Sequence, residues 1–448
     1  MRRPFPASSD LLTAVRASLL AHVPRGAHVT LGFSGGRDSA VLLDALAVAA
    51  PPHEHTLTAI HVHHGLSPNA DAWAQFCVDR CTGLGIACVV RRVDVDHAPR
   101  TSLEAVARRV RYEALSTSAR ELGASVVALA HHRNDQAETV LLQLLRGAGP
   151  HGMAAMPVVR EDEAGLVWWR PLLQTSRAAI DVHAKVRALT WIDDESNADP
   201  RHARNAVRHK VLPALRAIAP QADATLARVA SHQAEAARLL DELAAQDAQG
   251  TFDGDTLARD ALTIVPPHRA RNLLRWFLRQ QGLPAPSTTR LAAMLDQLRG
   301  GRTDARIRLR HAGVEIGVYQ NRVAVHSTGP PPFDLPWHGE SQLILPHGTL
   351  AFRETHGTGI DARQLQGAAV RVRSREGGER FQIAADRPRR ALKAILRDAG
   401  IPAWERQGVP LVYCGGVLAA VAGVGIDAAF RTDAAHPGVT VDWHPNSH

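Results

Sequence analysis

The chain has 448 residues, 45% hydrophobic and 21% charged, a length for two or three domains with real cores and a composition that excludes a disordered chain. Net charge is +8, and since lysine occurs only at Lys185, Lys210 and Lys393 the positive charge is almost all arginine, which suits a polyanionic partner without naming one. No apolar run reaches the ~20 residues of a membrane span.

The basic N-terminus is interrupted by Asp10 and Arg16, so it lacks the continuous apolar stretch of an export signal. A short amphipathic helix from about Ser9 and a cytoplasmic location are expected. Residues 28–33 read as a strand, followed by a glycine loop and the helical run DSAVLLDALAVAA. Further strands are expected at 56–62, 86–95 and 125–130, alternating with helices at 71–84, from Thr101, and at 135–145. Repeated strand–helix–strand units argue for a parallel sheet covered on both faces, whose ligands bind beyond the carboxyl ends of the strands. From about Pro213 the pattern turns helical, at 222–246, 267–281 and 288–298. Short strands at 306–309, 314–319 and 322–325 follow, then the proline-rich stretch STGPPPFDLP at 327–336. The remainder mixes strands at 369–373, 411–413 and 417–421 with a helix at 389–399.

Ser34-Gly35-Gly36-Arg37-Asp38-Ser39 lies between the first strand and its helix. Paired glycines allow a tight turn with converging N–H groups, and the helix start adds positive partial charge, so the loop is an anion cradle. Asp38 would repel a phosphate unless Mg²⁺ lies between them. No GK[ST] or GxGxxG pattern is present. Asp135 and Glu138 lie one helical turn apart after the fourth strand and, with Asp38, could hold Mg²⁺ or accept a proton. They could equally be a cap and a first-turn acid. Arg108 and Arg111 share a helix face, either toward a ligand or toward solvent. His61, His63, His64, His131 and His132 sit at two strand ends without thiolates or structural zinc spacing, which argues against a zinc site. Arg201, Arg204, Arg208 and Lys210 form a basic cluster with Asn197 and Asn205. Cys77, Cys81, Cys88 and Cys414 contain no CxxC pair and read as packing residues.

SGGRDS resembles the signature of the PP-loop ATP pyrophosphatases. Within them the chain resembles the tRNA(Ile)-lysidine synthase family through IHVHHGLSPNADAW (60–73), LEAVARRVRY (103–112), LAHHRNDQAETVLLQLLRGAGPHGMAAM (129–156), RPLL (170–173) and WIDDESNADPRHARNAVRHKVLPAL (191–215). REGGERF (375–381) and LKAILRDAGIPAWERQGVPLVYCG (392–415) extend the likeness to the family's long form. The resemblance implies a Rossmann-like parallel-sheet PP-loop ATPase domain over 1–215 and a mainly helical tRNA-binding domain over 216–325. A linker region over 326–367 and a small α+β tRNA-binding domain over 368–448 complete it.

The family's chemistry would be ATP-dependent ligation of free L-lysine to C2 of the wobble cytidine of tRNA(Ile) with a CAU anticodon. The resemblance assigns Asp38, Arg108, Arg111, Asp135 and Glu138 to catalysis. It assigns Ser34, Gly35, Gly36, Arg37, Asp38, Ser39 and His63 to ATP, and Arg201, Arg204, Asn205 and Arg208 to tRNA. Asp38 and Asp135 are the expected Mg²⁺ ligands. Many relatives carry Asp where this chain has Asn134. No membrane partner is implied, and a monomer or homodimer is expected. The competing readings are a PP-loop tRNA thiolase, which needs reactive thiolates, and a basic RNA-binding protein with an idle nucleotide site.

Overall fold

The computed structural model describes residues 8–65, 67–94, 103–193, 203–300, 307–327 and 329–446. They form two compact units, residues 1–239 and 240–448. Among the described residues no helix is long and apolar enough to cross a membrane.

The first unit is built on a six-stranded sheet. In chain order its elements are α1 (Ser8–His22), β1 (His28–Gly32), α2 (Arg37–Ala49), β2 (Thr56–His63), α3 (Ala70–Thr82), β3 (Ala87–Arg92), α4 (Leu103–Glu121), β4 (Val126–Ala128) and α5 (Arg133–Leu145). After them come the single turn α6 (Pro150–Met153), β5 (Val159–Glu161), β6 (Val167–Trp169) and α7 (Arg177–Val186). The strand order is β3-β2-β1-β4-β6-β5, parallel except for β5, which pairs antiparallel with β6. The β5–β6 hairpin extends the alternation read from the sequence.

Val15 and Leu19 of α1, Leu42 and Leu46 of α2 and Ile180 of α7 pack on one face against Val29, Leu31 and Trp169. Leu115 and Ala119 of α4 cover Ile60, Val127 and Trp168 on the other. Burial on both faces explains the near-continuous apolar strands. Because β2 and β4 flank β1 on opposite sides, strand order reverses there. The crevice beyond the carboxyl ends of β1 and β4 is where such sheets bind ligands.

The unit continues with α8 (Ala203–Ala206), a π-helical turn at Val207–Val211, α9 (Leu212–Ile218) and α10 (Ala222–Ala248), whose last residues belong to the second unit. Ala137 and Leu141 of α5 pack on Val207 and Leu212, with Leu142 and Leu215 alongside.

In the second unit, α11 (Arg259–Ile264), α12 (Pro267–Gln280) and α13 (Thr288–Gly300) pack on a small sheet of β7 (Thr256–Ala258), β8 (Arg308–His311), β9 (Val314–Tyr319) and β10 (Arg322–Ser327). The rest holds two antiparallel sheets around one core. One contains β11 (Asp334–Trp337), β15 (Val370–Arg373), β18 (Leu411–Cys414), β19 (Val417–Val421) and β20 (Gly425–Ile426). The other contains β12 (Gln342–Leu345), β13 (Gly348–His356), β14 (Ile360–Asp361) and β21 (Pro437–Pro445). The connecting turn α14 (Ala362–Gln366), the short ribbon β16 (Arg380–Phe381) with β17 (Arg390–Ala391), and α15 (Leu392–Asp398) complete it.

Much of the stretch expected to be a linker over 326–367 is therefore paired strand. Its prolines mislead because β11 is an edge strand, where Pro336 costs no ladder bond that a central strand would need. The helix expected at 389–399 begins later, at Leu392, because Arg390 and Ala391 pair with Phe381 and Arg380. Trp404 stacks on His326 with ring centroids 4.3 Å apart, joining the small sheet to the C-terminal sheets.

Candidate functional site

The loop after β1 is held by its own hydroxyls. Ser39 Oγ donates to Gly36 O at 2.8 Å and lies 3.2 Å from Ser34 Oγ. Gly35 has φ +82°, and a Cβ there would stand 2.5 Å from Ile192 Cδ1, while Gly35 O accepts from Ile192 N at 2.9 Å. Both the turn and the close approach require glycine. Gly36 caps α2 without a side-chain hydrogen bond. The first N–H groups of this thirteen-residue helix therefore face the crevice without a side-chain acceptor at the cap, an arrangement suited to phosphate.

Beyond β4, His132 is the N-cap of α5. Its Nδ1 accepts from Asn134 N and Asp135 N, while Asp135 Oδ2 accepts from His132 N at 2.9 Å, a reciprocal cap. The imidazole is buried, with Asp38 Oδ2 3.6 Å from Nε2 and Asp135 Oδ2 3.4 Å from Nδ1. Burial alone would lower the His132 pKa, but the Asp38 and Asp135 carboxylates outweigh it and raise it. Burial would raise the Asp135 pKa, and His132 and Arg204 hold it below the usual carboxylate range instead.

Arginines close the ring. Arg177 at the start of α7 donates to both oxygens of Asp38, at 2.9 and 3.0 Å. Arg204 Nε and Arg208 Nε donate to the two oxygens of buried Glu138 at 2.7 and 2.6 Å, and both guanidinium groups also reach Asp135 Oδ1. The π-helical turn containing Arg208 falls where this register is set, as such turns often do at functional sites. Arg37 pairs with Asp181 of α7 at 2.8 Å. Asn134 bridges α7 and α10, accepting from Arg177 N and donating to Asp223. A carboxylate in its place would face Asp223 without a proton to donate.

At the end of β2, His61 Nδ1 lies 3.0 Å from Phe33 O and 3.3 Å from Cys77 Sγ, bracing the strand end that leads into Ser34. Burial pushes the Cys77 thiol up to about 12. His63 lies 3.2 Å from Asp71 and from Arg92. Arg108 is exposed over the Tyr112 ring. Arg111 is half-buried near His61, His64 and His131 and has no carboxylate partner among the described residues. Burial holds the His131 pKa at about 3, and Nδ1 of both His64 and His131 is buried without a hydrogen-bond partner among the described residues. Among the described residues, these buried polar atoms and the Arg111 cation suit an anionic or polar group at this edge.

Of the residues expected from sequence, Asp38, Asp135, Glu138, Arg204 and Arg208 converge, while His63 and Arg108 are engaged elsewhere. Asn205 is buried, and Arg201 lies outside the described residues. His132 stands out in the sequence only as one of five histidines, although its H-x-x-D spacing signals a capped helix start. Arg177 and Asp181, four residues apart, belong to no motif that marks them for the site.

The comparisons match this layout. A PP-loop domain model covers residues 12–215, a TilS substrate binding domain model 257–324, and a TilS substrate C-terminal domain model 370–443. A tRNA(Ile)-lysidine synthase of Nitrosomonas europaea is 39% identical over 445 residues, covering 98% of this chain and 96% of its own. One of Burkholderia pseudomallei is 40% identical over 483 residues, covering 99% and 98%. With that likeness running through the PP-loop crevice and both downstream domains, the chain belongs to the tRNA(Ile)-lysidine synthase family.

Proposed function

We propose that the chain ligates free L-lysine to C2 of the wobble cytidine of tRNA(Ile) with a CAU anticodon, consuming ATP and releasing diphosphate and AMP. The observation that carries the reading is the gathering of Asp38, Asp135 and Glu138 beside the uncapped start of α2, where the strand order reverses. The glycine loop and α2 take the phosphates. The C2 carbonyl oxygen attacks the α-phosphorus as the bond to diphosphate breaks. Arg111 and Arg177 are placed to meet the charge that develops. The lysine amine then attacks C2, and the C–O bond breaks so that AMP leaves with the oxygen.

Adenylation turns a poor leaving group into a good one. The amine, with a solution pKa of ~10.4, arrives protonated and must lose a proton before attack. Asp135 and Glu138 would receive the incoming ammonium in exchange for Arg204 and Arg208, which hold their oxygens here.

For Mg²⁺ the donor chemistry fits in part. The His132 ring stands between Asp38 and Asp135, which are not a chelating pair here, and no group of three or more metal-ligating side chains occurs among the described residues. Asp38 alone fits the habit of Mg²⁺ to take one or two carboxylates together with phosphate oxygens. When bound, the ion would neutralise phosphate charge beside Asp38. Sulfur transfer is disfavoured by the thiols, since Cys77 is buried and protonated behind the loop.

The test is incubation with ATP, labelled lysine and tRNA(Ile), followed by mass analysis of the nucleosides. Lysine should appear on the wobble cytidine alone. Asp38→Ala should abolish AMP formation while tRNA binding stays within about twofold. Near-normal AMP release from that variant would refute the role of Asp38, and sulfur in the nucleoside would refute the ligase reading.

A further inference from the structure

α5 packs against α8 and the π-helical turn, and shares an apolar cluster with the start of α9. Their first turns meet through Glu138 with Arg204 and Arg208, and their middles through Leu141 and Leu212 with Leu142 and Leu215. The next turn of each helix continues the apolar pattern with nothing packed over it among the described residues. Leu144 is 58% exposed, Leu145 76% and Ile218 85%. One exposed leucine needs no explanation, but the apolar ends of two paired helices, just past a buried seam, do. Arg146 follows directly on α5 and Lys210 lies on the neighbouring turn. Both are exposed, without a carboxylate partner among the described residues. An apolar surface flanked by free cations complements a strand whose bases are unstacked and whose phosphates lie outside them.

The ten residue steps from Asp135 to Leu145 span about 15 Å of helix. That is roughly four stacked nucleotide steps, and fewer in an extended strand. Chemistry on a base inside a stack requires that the base be drawn out, and aliphatic side chains wedged between neighbouring bases hold such openings.

We propose that Leu144, Leu145 and Ile218 form an apolar wedge that takes unstacked bases of the RNA loop a few nucleotides from the one reacting at Asp38 and Glu138. The assignment rests on the functional reading above, which supplies the RNA loop as the occupant.

The experiment uses the full chain and an RNA hairpin carrying the CAU loop, with 2-aminopurine placed in turn at loop positions around the target cytidine. Binding to the unaltered protein should change the fluorescence at one or two flanking positions. The double variant Leu145→Ser/Ile218→Ser should abolish that change. It should raise KM for the RNA about tenfold, the order expected for loss of the apolar contact of two aliphatic side chains, with KM for ATP unchanged. Leu145→Met/Ile218→Leu should restore both. Equal fluorescence and KM in the serine variant would overturn the wedge. So would no fluorescence change with the unaltered protein, whatever its turnover. A serine variant that turns a dimer into a monomer, by light scattering without RNA, would assign the surface to a second copy and overturn it too. A fluorescence change without lysine transfer would sink the ligase reading while supporting the wedge.

Discussion

Arginine does opposite work in the PP-loop unit and in the C-terminal sheets. In the first, carboxylates are buried and arginines reach in to them. The Glu138 side chain is 1% exposed between Arg204 and Arg208, and Asp44 is 4% exposed between His183 and Arg187. In the second, Arg390–Asp398 and Arg371–Asp334 are about equally short but lie in solvent, with all four side chains at 44–46% exposure. Asp427, Asp361 and Glu379 are exceptions, buried acids held by Arg389, Arg363 and Arg375, and Asp427 also accepts from the Gln382 and Ala429 amides. Distance alone would rank all these pairs alike. Burial separates them, because removing one member of a buried pair strands a charge, whereas exposed partners return to water.

The sharpest test is Asp44, which lies outside the proposed chemistry. It ties α2 to α7, the helix whose Arg177 and Asp181 hold Asp38 and Arg37. Asp44→Ala should cost about 3 kcal/mol in urea unfolding. Burial would raise the Asp44 pKa, but the His183 and Arg187 bonds overcome it and hold it low. A carboxylate depressed in the folded state contributes stability above its unfolded pKa of ~3.9 and loses it as pH falls through the folded value. The gap between the native chain and Asp44→Asn should therefore be full at neutral pH and narrow below about pH 4. A gap that persists unchanged into acid would mean that packing, not charge, is what the site supplies.

That tie also marks the limit of what the sequence discloses. The glycine loop, its strand and Asp38 are contiguous, and Asp135 and Glu138 are spaced by one turn, so local pattern exposes them. The partners Arg177 and His183 come from a helix some 140 residues further on, and only tertiary packing brings them to α2. The family resemblance places Arg204 and Arg208 on tRNA, and neither it nor the charge pattern shows that both guanidinium groups turn onto Glu138. Pro336 suggested a linker for the same reason: sequence does not tell an edge strand from a loop.

A second test uses the cations that the C-terminal sheets leave unpaired. Arg380, Arg387 and Lys393 are exposed without carboxylate partners among the described residues. If they meet RNA phosphates, Arg380→Ala/Lys393→Ala should weaken tRNA binding and reduce the slope of log affinity against log salt by about 0.7–0.9 for each phosphate no longer neutralised. An unchanged slope would remove this face from the interface and leave its arginines as solvated charge.

The smallest expected effect sharpens the comparison from the other side. Arg390 and Asp398 connect β17 to the end of α15, at 2.6 Å with both side chains 45% exposed, and Arg397 also approaches Asp398. Solvent screens such a pair, and ordering two long side chains costs most of what the attraction returns. A double-mutant cycle with Arg390→Ala and Asp398→Ala should therefore give a coupling of about 0.5 kcal/mol or less, shrinking further in 1 M salt. The measurement that matters is this coupling, because the single variants also change local helix propensity. A coupling near that of a buried pair would show that the β16–β17 ribbon is fixed by its charges. Exposure would then no longer separate the two regions.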